Sequence, residues 1–219
     1  MGNAARIRAT QRHAARGDKR RKQGPPVLAI AAGVIVTALL AVFLLSRGGG
    51  ALATGDVSIT GGWLPRFDPN LATDPAIGTQ APTITGIGVD GEAVTIEPGQ
   101  DRVPMIVAVV AHWCSHCNTD MAVLAPHLQA QPLEGVRLRT ISTFVDSARE
   151  NYPPSTWLKR MEWPGPAILD SVASEGADAF GASGTPFWVF LDADGRVVER
   201  WSGELGVDAF DARVQSLLT

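Results

Sequence analysis

Seven apolar residues in a row, Met105 to Ala111 (MIVAVVA), lead through His112 directly into Trp113-Cys114-Ser115-His116-Cys117. A run this short and this uniformly apolar suits a strand covered on both faces, which requires a sheet packed between helices. Pro104 punctuates its start, and beyond the second cysteine Met121, Leu124, Ala125 and Leu128 recur at helical spacing. The two cysteines therefore fall at a strand-to-helix junction. Around that junction the chain alternates. Thr83–Thr85 and Val94–Ile96 flank an Asp90-Gly91 hairpin turn, and Val136–Val145 reads as a strand. Ser147–Glu162 reads as helical, broken or begun at Pro153-Pro154; Ala167–Leu169 is a short strand and Glu175–Phe180 a short helix. Phe187–Leu191 and Val197–Trp201 flank a second hairpin at Asp192-Ala193-Asp194-Gly195, and Val207–Leu218 closes as a helix with one apolar face. The class implied is α/β, a mixed β-sheet flanked by helices.

A second apolar run bounds the location. Val27 to Leu45 is 19 residues without a charge, and as a helix it would span roughly 28 Å, about the hydrocarbon thickness of a bilayer. Eight basic residues and one acid precede it, whereas from Gly48 onward 10 Lys and Arg face 21 Asp and Glu. That asymmetry keeps the N-terminus in the cytoplasm and exports the acidic part. A leader cleaved after Ala51-Leu52-Ala53 is the rival reading, but the run exceeds the length usual for a signal peptide. The expected organisation is a basic cytoplasmic leader over 1–26, a transmembrane helix over 27–45, a Gly- and Pro-rich linker over 46–80 and one domain over 81–219. The basic leader reads as a topology signal drawn to anionic lipid, not as a nucleic-acid site.

Two cysteines cannot make a disulfide framework, and a bridge between Cys114 and Cys117 closes too small a loop to stabilise a fold appreciably. The spacing does suit redox chemistry. Cys114 sits where the free N–H groups and dipole of a helix start stabilise a thiolate, the nucleophile of disulfide exchange. Cys117 lies one turn further on the same side, placed to resolve a mixed disulfide. Far along the chain, Gly184-Thr185-Pro186 directly precedes a strand, where proline is tolerated at the first position.

Taken together, Ala81-Pro82-Thr83, the Asp90-Gly91 turn, Trp113-Cys114-Ser115-His116-Cys117, Gly184-Thr185-Pro186-Phe187, Asp194-Gly195 and Trp201-Ser202-Gly203 resemble the thioredoxin superfamily, specifically its exported, membrane-anchored TlpA-like proteins. The resemblance covers about residues 81–219. It implies a thioredoxin-like domain acting as a thiol-disulfide oxidoreductase, with a cis Thr185-Pro186 bond against the sulfurs and Thr185 backbone presented to the substrate. It also implies an additional helix inserted between early strands, which Ser147 to Trp163 would supply. Three departures bear on tuning: Ala108 stands where thioredoxin has a buried acid, Asp120 where relatives often have a glutamate, and Ala122 where a helix-kinking proline is common. The Ser-His dipeptide is similar to the Pro-His of oxidising DsbA proteins.

The expected site is thus Cys114 as nucleophile, Cys117 as resolving thiol, Thr185 and Pro186 shaping substrate contact, His116 and Asp120 tuning protonation, and Trp113 on the rim. No cofactor is required. The implied partners are exported cysteine-containing proteins and a membrane redox partner that resets the disulfide. The alternative is a metal-binding or delivery module for zinc or copper, using His112, Cys114, His116 and Cys117 as donors.

Overall fold

A computed structural model describes residues 50–219 of the chain; the basic leader and the expected transmembrane helix over 27–45 lie outside the described residues. Eight strands form one mixed sheet: β1 (Ser58–Thr60), β2 (Thr83–Ile87), β3 (Ala93–Ile96), β4 (Met105–Val110), β5 (Arg137–Ser142), β6 (Ala167–Leu169), β7 (Phe187–Leu191) and β8 (Val197–Ser202). Their order is β1-β2-β6-β5-β4-β7-β8, with β3 paired to β2. The helices are α1 (Ser115–Ala130), α2 (Pro154–Arg160), α3 (Glu175–Ala179) and α4 (Gly206–Leu217). Among the described residues no helix is long and apolar enough to cross a membrane.

β4 is the central element. All six of its residues are buried, and it pairs in parallel with β5 and antiparallel with β7, Ala108 lying opposite Thr140 and Trp188. Its alternate residues feed two apolar layers. Ile106, Ala108 and Val110 pack with Met121, Leu124, Trp188 and Phe210 on the side of α1 and α4. Met105, Val107 and Val109 pack with Leu64, Phe180 and Phe187 on the other. A strand apolar on both faces is what this two-layer burial demands, and it delivers the cysteines to the carboxyl edge of the sheet. Helix α1 carries a proline at Pro126 in its interior, four residues beyond Ala122.

Three expectations are corrected. β5 stops at Ser142 instead of Val145, and Phe144 lies at φ 49°, a left-handed conformation that a strand does not continue through. The helix expected from Ser147 shrinks to the seven residues of α2. Asn151 at φ 63° and the extended backbone of Pro153 put its start at Pro154, in the first helical turn where proline fits. This helix belongs to the β5–β6 crossover.

The third correction concerns the linker. Residues 50–80 lie on the domain: β1 pairs with β2, Ser58 opposite Thr85, and Leu64 and Ala76 are buried. Arg200 of β8 fixes the segment. Its Nε donates to Asp74 Oδ2 at 2.7 Å and its Nη1 to the Pro65 carbonyl at 2.7 Å. Its guanidinium also lies 5.4 Å from the ring centroid of Phe67. Leu52 exchanges hydrogen bonds with Ser155, its N–H donating to Oγ at 2.8 Å. Leu64 is buried and Phe67 packs edge-on against Phe187, whereas Trp63 is exposed.

Candidate active site

Cys114 is the N-cap of α1, with extended backbone (φ −72°, ψ 115°), and its Sγ accepts the N–H of Cys117 at 3.2 Å. A side chain at this position satisfies one of the helix's free donors, so the sulfur stands in the positive end of the helix. Cys114 Sγ also lies 3.3 Å from the carbonyl oxygen of Thr185, to which it donates when protonated. The Thr185-Pro186 peptide is cis, and Pro186 directly precedes β7. The Pro186 carbonyl accepts the N–H of Gly203 at 2.9 Å. Cys117 is wholly buried on the first turn of α1. Both cysteines are free.

The two thiols are electrostatically unequal. A hydrogen bond donated by the Cys117 thiol is the largest influence on Cys114; burial opposes it, and the Cys117 N–H and the His116 charge add to it, bringing Cys114 down to about 6. Cys117 is pushed up by burial and by the neighbouring Cys114 sulfur. One sulfur is therefore a thiolate at neutral pH and the other a protonated thiol, the division that attack and resolution need.

His116 is exposed, and its Nδ1 lies 2.5 Å from Oε1 of Glu204 in the β8–α4 loop. Hydrogen bonding to that carboxylate, with its charge, raises the His116 pKa above the usual histidine value. Asp120 is buried. Its Oδ1 accepts the N–H of Gly206 at 2.8 Å and its Oδ2 that of Leu205 at 3.0 Å. Burial raises its pKa, those two N–H groups oppose the rise, and Glu204 adds to it. Asp120 thus caps α4, and neither of its oxygens hydrogen-bonds to a sulfur. Trp113 donates from Nε1 to the Phe144 carbonyl at 2.6 Å and lies under the Arg149 guanidinium, 5.2 Å from the ring centroid. Trp113, Cys114, His116, Phe144, Arg149 and Thr185 line one open cleft of about 630 Å³.

All seven expected residues gather at this end of the sheet. The sequence reading missed Glu204, Asn118 and Arg149. Glu204 follows the Trp201-Ser202-Gly203 motif but carries no local signal of its partner. Asn118 donates to the carbonyls of Cys114 and His112 at 2.9 and 3.2 Å, and its Oδ1 accepts the Trp157 Nε1–H at 2.8 Å.

The metal alternative does not fit this geometry. The buried His112 ring has both nitrogens engaged, Nδ1 2.7 Å from the Glu150 carbonyl and Nε2 3.3 Å from the Asp146 N–H. Nδ1–H is the donor there and Nε2 the acceptor. His116 is held by Glu204. Among the described residues no group of three or more His, Cys, Asp or Glu converges as a metal site would require.

No family model and no curated protein matches the chain. Solved structures do. The thioredoxin domain of a thiol-disulfide oxidoreductase from Bacteroides vulgatus is 22% identical with a TM-score of 0.51, covering 66% of this chain and 99% of that one. A thiol:disulfide interchange protein of the thioredoxin family from Chlorobium tepidum is 22% identical with a TM-score of 0.51, covering 65% and 97%. A thiol:disulfide interchange protein from Bacteroides sp. is 22% identical with a TM-score of 0.50, covering 64% and 89%. The described part of the chain has the thioredoxin fold, with a Cys-x-x-Cys pair at the strand-to-helix junction where the sheet's carboxyl edge opens.

Proposed function

We propose that this chain is a thiol-disulfide exchange enzyme, anchored in a membrane by its N-terminal apolar segment and acting outside the cytoplasm on exported cysteine-containing proteins. The observation that carries the reading is the setting of Cys114 Sγ. It takes the Cys117 N–H at a helix start and faces the Thr185 carbonyl beside Pro186. The Cys114 thiolate attacks one sulfur of a substrate disulfide, forming a mixed disulfide and expelling the other substrate sulfur as a thiolate. Cys117 then gives up its proton and attacks Cys114 Sγ, closing the Cys114–Cys117 disulfide and releasing the second substrate thiol. The substrate gains two electrons, one proton from Cys117 and a second from solvent. A membrane redox partner resets the pair, and the reverse sequence would oxidise a dithiol.

Thr185 presents backbone to the incoming chain, and Trp113 forms one wall of the cleft. A Cys114 midpoint of about 6 lies nearer the value of about 7 in thioredoxin than that of about 3.5 in DsbA, which supports the reducing direction. Equilibration of the purified protein in glutathione or dithiothreitol buffers tests both points. A potential at or below about −250 mV makes it a reductant, and one near −120 to −150 mV makes it an oxidant or isomerase. Absence of any Cys114–Cys117 disulfide at equilibrium overturns the exchange reading. Protease accessibility of the domain in intact and permeabilised cells tests its placement.

A further inference from the structure

We infer that Glu204 is a positioning residue for the exchange chemistry: from the β8–α4 loop it holds His116 as an imidazolium at the mouth of the Cys114 cleft. The inference rests on the exchange reading and deepens it, because it names what sets the charge beside the nucleophile.

Glu204 is poorly free to move. The loop that bears it is tied at three points: the Gly203 N–H to the Pro186 carbonyl at 2.9 Å, the Trp201 Nε1–H to the Glu204 carbonyl at 3.1 Å, and the Leu205 and Gly206 N–H groups to Asp120. Gly203 at φ 109° and Gly206 at φ 66° supply the left-handed turns that let so short a loop make all three. Trp201 is braced in turn by the Arg213 guanidinium, 4.8 Å from its ring centroid. The carboxylate therefore meets His116 Nδ1 from a fixed support. Although exposed ion pairs generally contribute little, one end of this one is anchored, so less freedom is lost in forming it.

The charges around His116 are few. Glu204 faces it from the loop, and Cys114 lies on its own element. Asp120 of α1 is turned to the α4 backbone, and Arg149 and Glu150 stand across the cleft. An unpaired histidine is largely neutral above its ordinary value of 6.5, so at neutral pH the cation depends on a partner. The His116 charge favours the Cys114 thiolate. Holding the imidazolium therefore stabilises the reduced form and makes the disulfide more oxidising than it would otherwise be.

The test uses the purified full-length chain in detergent. Cys114 thiolate absorbance near 240 nm is followed against pH in wild type, Glu204→Gln, Glu204→Asp, His116→Ala and the Glu204→Gln/His116→Ala double variant, alongside equilibrium with glutathione. Glu204→Gln is expected to raise the thiolate midpoint and to shift the glutathione equilibrium about two- to fivefold toward the disulfide. His116→Ala should do the same, the double variant should add nothing, and Glu204→Asp should fall between Gln and wild type. An unchanged or lowered midpoint in Glu204→Gln overturns the inference, as does an effect of Glu204→Gln that persists without His116. Thiolate titration needs no turnover, so failure of wild type to form its disulfide would remove the exchange reading and leave this test readable.

Discussion

Asp120 accepts the N–H of Gly206 at 2.8 Å, so the residue one turn beyond the resolving cysteine caps the C-terminal helix. Expected from sequence as a tuning acid, it is also a structural joint between α1 and α4. Replacing it with alanine strands the N–H groups of Leu205 and Gly206 and should cost about 1–2 kcal/mol. For a domain of this size that lowers Tm by roughly 2–8 °C. Its pH signature has a definite sign. Burial raises the folded pKa above the ordinary 3.8, so this group's contribution to stability is fully present below that value. It is lost as pH rises through the raised one. Asp120→Asn keeps an acceptor and removes the titration. Thermal melts from pH 3 upward should show wild type losing stability relative to Asp120→Asn; parallel curves would contradict the assignment.

Cys114 has the opposite linkage. Its pKa falls from 9.0 to about 6 on folding, so the thiolate's stabilisation of the reduced protein is present above about 9 and is lost as pH falls through about 6. Alkylation by iodoacetamide should rise through pH 6 and level off, confined to Cys114, while buried Cys117 stays protonated and unreactive. The reduction potential should fall by about 59 mV per pH unit below that midpoint and by about 30 mV above it, where only one proton accompanies the two electrons. Cys117→Ala removes the donated hydrogen bond that lowers Cys114 most and should move the alkylation midpoint upward. An unmoved midpoint would show that the helix start and the His116 charge set the thiolate without that bond.

The fold was most legible where one strand carries the whole signal. Met105–Val110 is apolar on both faces, so its central place and the junction after it follow from pattern alone. The crossover helix was overextended because the backbone turns at Phe144, whose residue type gives no sign of a positive φ, and at Asn151, whose type favours one only weakly. Residues 50–80 read as linker because their attachment is a three-residue strand and a charged side chain, Arg200, 126 positions from Asp74. Glu204 was hidden for the same reason: 88 residues separate it from His116, and no period connects them. What sequence patterning misses here is polar and long-range, and that is what tunes the site.

The Asp74–Arg200 pair offers a direct check on the packing of residues 50–80. Arg200 is fully buried at its side chain and Asp74 nearly so. Burial works against the Asp74 charge, but the Arg200 hydrogen bonds and charge and the Ala76 N–H hold its pKa below 3.8. Its contribution is therefore present above that value and lost as pH falls below it. Asp74→Ala leaves a buried guanidinium without its counter-ion and should cost about 3–5 kcal/mol. Denaturant titration of the purified protein measures this, and limited proteolysis should begin to cut near residues 61–79. A loss under about 1 kcal/mol would mean that the segment is held by its apolar contacts alone.

Asn118 joins the active-site helix to the loop over 144–153. It bridges the carbonyls of His112 and Cys114 to the Trp157 indole, and its Oδ1 also lies 3.4 Å from Asn151 Nδ2. Asn118→Ala leaves the buried Trp157 Nε1–H without a partner, which costs about 1–3 kcal/mol. The loop it releases supplies the Phe144 carbonyl that fixes Trp113 and the Arg149 that covers its ring. Local opening should therefore become easier there before the sheet is affected. Hydrogen exchange is expected to speed up at the Asp146 amide, which donates to His112 Nε2, and to stay slow at the β4 amides. Equal acceleration in both places would mean that Asn118 supports global stability and does not hold this loop in particular. With the loop loosened, Trp113 loses its fixed orientation. Exchange with a peptide disulfide should then slow through a higher KM, while the Cys114 alkylation midpoint stays near 6.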